Sequence, residues 1–379
     1  MKVSTTSPPY TFAVDGAMAS AWWCATVPAI TGMRILGMVK PRPLPTTDLS
    51  SKIAVVTGSN TGVGKRTAFH LAKMKATVVL AVRNMEKGHM AKKELIKELQ
   101  KHKIMAPDIN VMELELCSTG SIKRFVHDFK AKYNRLDILV NNAGQVDPGT
   151  TDQGLSSTFM ADYLGAYMMT TMLYDTIRNT QGARVINVSS PLHHYGTTKW
   201  EDAAMGRRGE PDFMNVLFHC YADSKLAMML FTNELRRRFA ADNCSAVAIC
   251  VSPGNVNSDI WRTVPIPLLM PMKVVMAAVF LTPDQACHPS VMAAAAPLNE
   301  LKGFMAKDAE ELPLYLQPYW NPLKQAHPFD VFGPYAGTDV SIPSLPPNYE
   351  EEGKRLWFVS SELIKAAEEG KTKERPPRF

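Results

Sequence analysis

Two side chains in this 379-residue chain are spaced to handle a proton together. Tyr221 and Lys225, in the run Tyr221-Ala222-Asp223-Ser224-Lys225, stand four residues apart and share one face of a helix. An ammonium beside a phenol favours the phenolate, which is expected to lower the tyrosine pKa from about 10. The pair then serves as proton donor and acceptor near neutral pH. Tyr-x-x-x-Lys alone is a common surface pattern. Here it follows, in order, a glycine-rich turn, an Asn-Asn-Ala-Gly turn and a strand ending in Ser189-Ser190.

The glycine-rich turn is Thr57-Gly58-Ser59-Asn60-Thr61-Gly62-Val63-Gly64, between a predicted strand and a predicted helix. Glycines there allow a tight turn and let backbone N–H groups approach a pyrophosphate at a helix N-terminus. The second predicted strand ends in Arg83, where NAD sites usually carry an acidic residue for the ribose 2′-hydroxyl. A guanidinium fork suits a 2′-phosphate instead, so the expected cofactor is NADP(H) in preference to NAD(H).

Short β-branched runs alternating with longer amphipathic segments position these motifs. Strands are expected at Ile53–Thr57, Thr77–Val82, Val111–Leu116, Asp137–Asn141, Arg184–Val188 and Ala246–Val251. Helices are expected at Gly62–Lys73, a charged segment through Gln100, Ser121–Tyr133, Leu155–Thr176, Cys220–Phe239 and Lys354–Glu369. The alternation implies βαβ units, and right-handed crossovers give an α/β doubly wound parallel sheet, a Rossmann fold. The division expected is an N-terminal extension over 1–50, a dinucleotide-binding and catalytic domain over 51–305, and a C-terminal insertion, helix and tail over 306–379. Gly303–Met305 is a candidate seventh strand, and Leu312–Pro347, rich in Pro, Tyr, Trp and Gly, reads as a long ordered loop or insertion.

With these motifs in this order the chain resembles the short-chain dehydrogenase/reductase superfamily, within it the retinol dehydrogenase-like branch that includes the WW-domain oxidoreductase group. The resemblance rests on Thr57–Lys65, Arg83–Lys87, Asn141–Gly144, Val188–Ser190, Trp200–Asp202, Tyr221–Leu235, Ser252–Gly254 and Leu356-Trp357. It implies that Tyr221 is general acid or base, that Lys225 supports it and holds the nicotinamide ribose, and that Ser190 polarises the substrate oxygen. It also implies cofactor contacts from Asn141, Asn142, Ala143 and Gly144, from Glu115 and Leu116 near the adenine, and from Pro253, Gly254, Val256 and Ser258 near the carboxamide. One position departs: Asp162 stands where the family normally has an Asn that holds a relay water. Its charge is expected to pair with Lys225 and to raise the Tyr221 pKa.

Thirty residues separate Ser190 from Tyr221, with His193, His194, Tyr195 and Trp200 among them. The paired histidines lack a carboxylate or Cys at ligand spacing, so no metal is expected. Trp261–Leu281, apolar and Met-containing, occupies the family's substrate-lid position. That implies a small apolar alcohol, aldehyde or ketone of the retinoid, steroid or fatty aldehyde class, with plain core packing as the alternative. A pigment or quinone substrate and a cofactor-binding scaffold or sensor with reduced catalysis are the other readings.

Composition narrows the remainder. Apolar residues are 46% of the chain, enough for a sizeable core, and the net charge of +6 is dispersed, which gives nucleic-acid binding no support. Six cysteines without Cys-x-x-Cys spacing fit an intracellular reducing compartment, the cytoplasm or the cytosolic face of an internal membrane. Gly16–Met33 is an uncharged run of 18 residues with Trp22 and Trp23, followed by Arg34 and Lys40. It reads either as a membrane anchor at the lower limit of spanning length or as a helix packed on the body. No motif decides the oligomeric state.

Overall fold

The structure, a computed structural model, describes residues 43–105, 107–206, 216–257, 280–298, 301, 315–318, 338–340 and 345–372. Gly16–Met33, Ser258, Gly303–Met305, nearly all of Trp261–Leu281, most of Leu312–Pro347 and the last seven residues lie outside that set.

The β-branched runs pair side by side into one sheet. Strands β1 (Ile53–Thr57), β2 (Thr77–Val82), β3 (Ile109–Glu113), β4 (Ile138–Asn141), β5 (Arg184–Val188), β6 (Val247–Val251), β7 (Tyr315–Pro318) and β8 (Thr338–Val340) lie in the order β3-β2-β1-β4-β5-β6-β7-β8. All neighbours are parallel except β7 and β8, which are antiparallel. Because side chains alternate along a strand, the sheet has two apolar faces. Val55, Val79, Leu139, Val185 and Ala248 enter one core; Val56, Val78, Leu80, Val140, Ile186 and Ile249 enter the other.

Helices α1 (Gly62–Lys73), α2 (Met85–Lys101) and α3 (Thr119–Lys132) follow the first three strands. After β4 come α4 (Ser157–Phe159), a π-helical turn (Met160–Leu164), α5 (Gly165–Met172) and α6 (Tyr174–Arg178). After β5 come a 3₁₀ turn (Pro191–Tyr195), α7 (Trp200–Ala204), a second π-helical turn (Val216–Tyr221) and α8 (Ala222–Ala241). Then follow α9 (Pro283–Ala286), α10 (His288–Ala295) and α11 (Tyr349–Glu368). Glu350, Glu351 and Glu352 in the first turn of α11 suit its positive dipole end.

Three expectations are corrected. β3 ends at Glu113 rather than reaching Leu116, because Leu114 makes the last rung to Val82 and the N–H of Glu115 turns to the Ser121 hydroxyl. The helix expected over 155–176 is interrupted at Leu173: Thr171 Oγ1 bonds the carbonyls of Tyr167 and Met168, and Lys130 takes that of Met172. The segment 312–347 is not merely a loop, since it supplies β7 and β8. Through these two strands the sheet runs past residue 305.

From β3 the chain crosses back to place β4 on the other side of β1. The crevice at the carboxyl ends of β1 and β4, where strand order reverses, is where an open α/β sheet receives ligands. The glycine turn and the Asn-Asn-Ala-Gly turn both leave their strands there.

Candidate active site

Thr57, the last residue of β1, ties the two turns together. Its Oγ1 accepts from the N–H of Asn142 and of Ala143, each at 2.9 Å, and Asn142 Nδ2 donates to its carbonyl at 2.9 Å. Gly58 has φ of +63°, and at Gly64 a Cβ would lie 2.4 Å from Asn142 Nδ2 and 2.7 Å from the Gly58 carbonyl. This close approach leaves a cradle with no room for a side chain. At the head of α1, Thr61 makes no side-chain cap and the first turn carries no acid, so the positive dipole end is not neutralised locally. Ser59 is fully buried and its Oγ has no hydrogen-bond partner among the described residues. These features fit a pyrophosphate.

Arg83 and Glu115 meet at the outer rim, Nε to Oε2 at 3.3 Å, with Arg83 61% exposed. Glu115 Oε1 also accepts from the N–H of Cys117, and Leu116 is buried, its carbonyl 2.4 Å from where a Gly165 Cβ would stand. Pro253, Gly254 and Val256 follow β6. The Gly254 N–H bonds Ser252 Oγ at 3.1 Å, and Val256 packs with Leu281, Ala286 and Val63 beside the glycine turn.

Asn141 is a strut inside the sheet. Its Nδ2 donates to Thr170 Oγ1 at 3.1 Å and to Asn187 Oδ1 at 2.8 Å, and Asn187 Nδ2 donates to Thr232 Oγ1 at 2.9 Å. This buried chain joins β4, β5, α5 and α8, so the proton-handling side chains sit on mutually fixed elements.

Those side chains converge. Lys225 and Asp162 are buried, with Nζ 3.8 Å from Oδ2. Lys225 Nζ also donates to the Val188 carbonyl at 3.4 Å and lies 5.1 Å from the centre of the Tyr221 ring. Asp162 Oδ1 accepts from the Gln145 N–H at 2.6 Å. Gly144 admits this arrangement: a Cβ there would be 2.8 Å from Asp162 Oδ1 and 3.3 Å from Lys225 Nζ. Ser190 hydrogen-bonds Tyr221 and also accepts from the Leu192 N–H at 3.3 Å. Asp162 and Tyr221 each lie in a π-helical turn, a local widening often found at functional sites.

Electrostatics correct one expectation. The Tyr221 phenol is not lowered: burial raises it well above its ordinary value, the Asp162 charge raises it further, and only the Ser190 bond acts the other way. The ammonium lies against the ring face and has Asp162 as its charge partner. Burial also raises the Asp162 carboxyl from 3.8 to about 6, against the pull of Lys225 and the Gln145 N–H.

Reading motif by motif misses what flanks the motifs. Gln145, one residue past the Asn-Asn-Ala-Gly turn, holds Asp162 through its backbone. Val146, Leu192, Val216 and Cys220 form a small apolar cluster with Tyr221. Their positions beside Gly144, Ser190 and Tyr221 were the only signal. The paired histidines stack on each other at 4.1 Å. His193 Nδ1 lies 2.7 Å from the Ser190 carbonyl, and burial depresses its pKa to about 3. Among the described residues one cluster, His70, Asp284 and Cys287, gathers ligand-type atoms within 4.8 Å. There Arg66 already holds Asp284 at 2.7 Å, which makes it an ion-pair junction between α1 and α9. No helix among the described residues is long and apolar enough to cross a membrane.

A dinucleotide-type crevice opening onto a buried phenol, hydroxyl and ammonium defines an oxidoreductase that works with a nicotinamide cofactor on CH–OH and C=O groups. The chain belongs to the short-chain dehydrogenase/reductase superfamily, in its retinol dehydrogenase-like branch. A family model for short chain dehydrogenases matches residues 52–201. Human polyprenol dehydrogenase is 33% identical over 269 residues, covering 69% of this chain and 76% of that one. Human retinol dehydrogenase 13 is 30% identical over 322 residues, covering 83% and 85%. Among solved structures, an uncharacterized protein from Mycobacterium paratuberculosis shares the fold with a TM-score of 0.56 at 24% identity, covering 88% of this chain and 97% of that one. A short chain dehydrogenase from Escherichia coli CFT073 complexed with NADPH shares the fold with a TM-score of 0.50 at 20% identity, covering 66% and 93%.

Proposed function

We propose that this oxidoreductase uses NADP(H) and acts on a small apolar alcohol, aldehyde or ketone, of the retinoid, steroid or fatty aldehyde class. The observation that carries the substrate class is the apolar cluster of Val146, Leu192, Val216 and Cys220 against Tyr221. It packs apolar side chains against the proton-exchanging residue, an environment that favours a hydrocarbon neighbour. That similar proteins are polyprenol and retinol dehydrogenases supports it.

The cofactor supplies or accepts the hydride; the chain does the rest. The raised phenol of Tyr221 stays protonated through neutral pH, which suits it to donate to a carbonyl oxygen being reduced. Ser190 orients that oxygen, and Lys225, held by Asp162 and the Val188 carbonyl, places positive charge under the ring. Gly58, Ser59, Asn60, Thr61, Gly62, Val63 and Gly64 would cradle the pyrophosphate. Arg83, only partly engaged by Glu115, would meet the 2′-phosphate. Asn142, Ala143, Leu116, Pro253, Gly254, Val256 and Ser258 would complete the cofactor's contacts, and residues 16–33 would meet a membrane surface.

Two measurements test this reading. Purified protein should oxidise NADPH with apolar aldehydes or ketones and use NADH far less well; equal use of the two overturns the NADP(H) assignment. Arg83→Ala should raise the KM for NADPH about tenfold or more and leave that for NADH unchanged, the scale of one charge-assisted hydrogen bond at an exposed rim.

A further inference from the structure

Helix α11 lies outside residues 52–201, yet it touches the π-helical turn of Asp162, α5, α8 and the stretch that leads into α7. Ser360 Oγ is 2.8 Å from the Tyr163 hydroxyl, one residue from Asp162 in the π-helical turn. Tyr167 OH donates to the Trp357 carbonyl at 3.1 Å, and the Trp357 ring packs edge-on to Tyr167 and beneath the Arg238 guanidinium of α8. Arg355 points the other way. Its Nη2 bridges both carboxylate oxygens of Glu201 at 2.9 Å, and its Nη1 donates to the Thr198 carbonyl at 2.9 Å.

Thr198 and Glu201 belong to the stretch that runs from Ser190 through Leu192 and α7. A second tie from the site's own helix reaches the same stretch: the Thr197 N–H donates to Asp223 Oδ1 at 2.6 Å. On its far side, the Ala204 carbonyl accepts from the Ser156 N–H at 2.7 Å. The stretch is a loop and a short helix, and has no ladder of its own to fix it. Buried His193, Trp200, Ala203 and Ala204 and the close approach of Gly196 to Ala222 and Leu226 pack it on the body, and these polar ties add to that packing.

We propose that α11 positions the substrate side of the site, with Arg355 as the positioning residue that locks residues 191–204 to the frame carrying Asp162 and Tyr221. This rests on the reading of Leu192 and its neighbours as the substrate wall. Held through Arg355, Leu192 keeps its place beside the phenol, so an apolar substrate finds a formed wall instead of ordering one as it binds.

The test is Arg355→Ala in the full chain. The KM for an apolar carbonyl should rise about three- to tenfold while kcat and NADPH affinity stay within about twofold, as expected for losing the partly exposed charge pairs of Arg355 with Glu201 and Glu352, which act on substrate position alone. Arg355→Lys, which keeps a cationic donor facing Glu201 and Glu352, should restore most of the KM. Backbone hydrogen exchange should quicken over residues 191–206 and not over 222–241 in the single variant. An unchanged KM, failure of Arg355→Lys to restore it, or exchange that quickens equally in both segments would overturn the proposal. If the wild-type protein turns over no carbonyl offered, the proposed substrate class fails, and the exchange comparison still decides the role of Arg355.

Discussion

Tyr221→Phe should lower turnover of an apolar carbonyl by about 10² to 10⁴, the range for removing a positioned general acid. The KM for NADPH should not move. The argument is one of isolation: phenylalanine keeps the ring that packs with Val146, Leu192, Val216 and Cys220 and that lies over Lys225, so only the hydroxyl facing Ser190 is lost. The pH dependence adds a second check. The phenol is raised by burial and by Asp162, so its acid form persists through neutral pH. Carbonyl reduction, which needs that form, should be flat in kcat/KM from about pH 6.5 to 9, once Asp162 has ionised. Alcohol oxidation, which needs the phenolate, should rise across the same interval. A variant that keeps more than a tenth of wild-type turnover would show that another group delivers the proton.

Much of this site was legible because its chemistry admits few residue types. A cradle with no space for a Cβ calls for glycine at 58 and 64, and a proton pair on one helix face calls for the spacing of Tyr221 and Lys225. Order along the chain then dictated the parallel sheet. What escaped depends on partners distant in sequence. Nothing in the composition of 160–164 or 216–221 marks a π-helical turn, because a periodicity of 3.6 residues cannot reveal a single added residue. β7 hides in a Pro-rich stretch because its pairing with β6 through Cys250 and Val251 is a tertiary event. The direction of the Tyr221 shift was misjudged for the same reason. Spacing places an ammonium nearby, while the shift is set by burial beside residues 146, 192 and 216 and by the charge of Asp162.

Asp162→Asn should stabilise the protein, and by an amount that depends on pH. The side chain is fully buried and its carboxyl is raised from 3.8 to about 6, chiefly by loss of water. A raised acid binds its proton more tightly in the folded state than in the unfolded one. Its contribution is therefore neutral below about pH 3.8, falls as pH rises to about 6, and stays unfavourable above that. Two pKa units correspond to about 3 kcal/mol at pH 8 and roughly half of that at pH 5. Asparagine reproduces the shape of the protonated acid and can still accept from the Gln145 N–H, so it should recover this cost without opening a cavity. Urea unfolding of both proteins at pH 5 and pH 8 measures it. A difference that does not grow with pH, or a variant less stable at pH 8, would mean that the carboxylate is held by Lys225 more firmly than burial opposes it. The proton chemistry should shift as well: without the negative charge the phenol is less raised, and the rising limb of alcohol oxidation moves to lower pH. A buried carboxylate that costs stability yet sets the proton affinity of Tyr221 is what a site selected for function rather than for stability would keep.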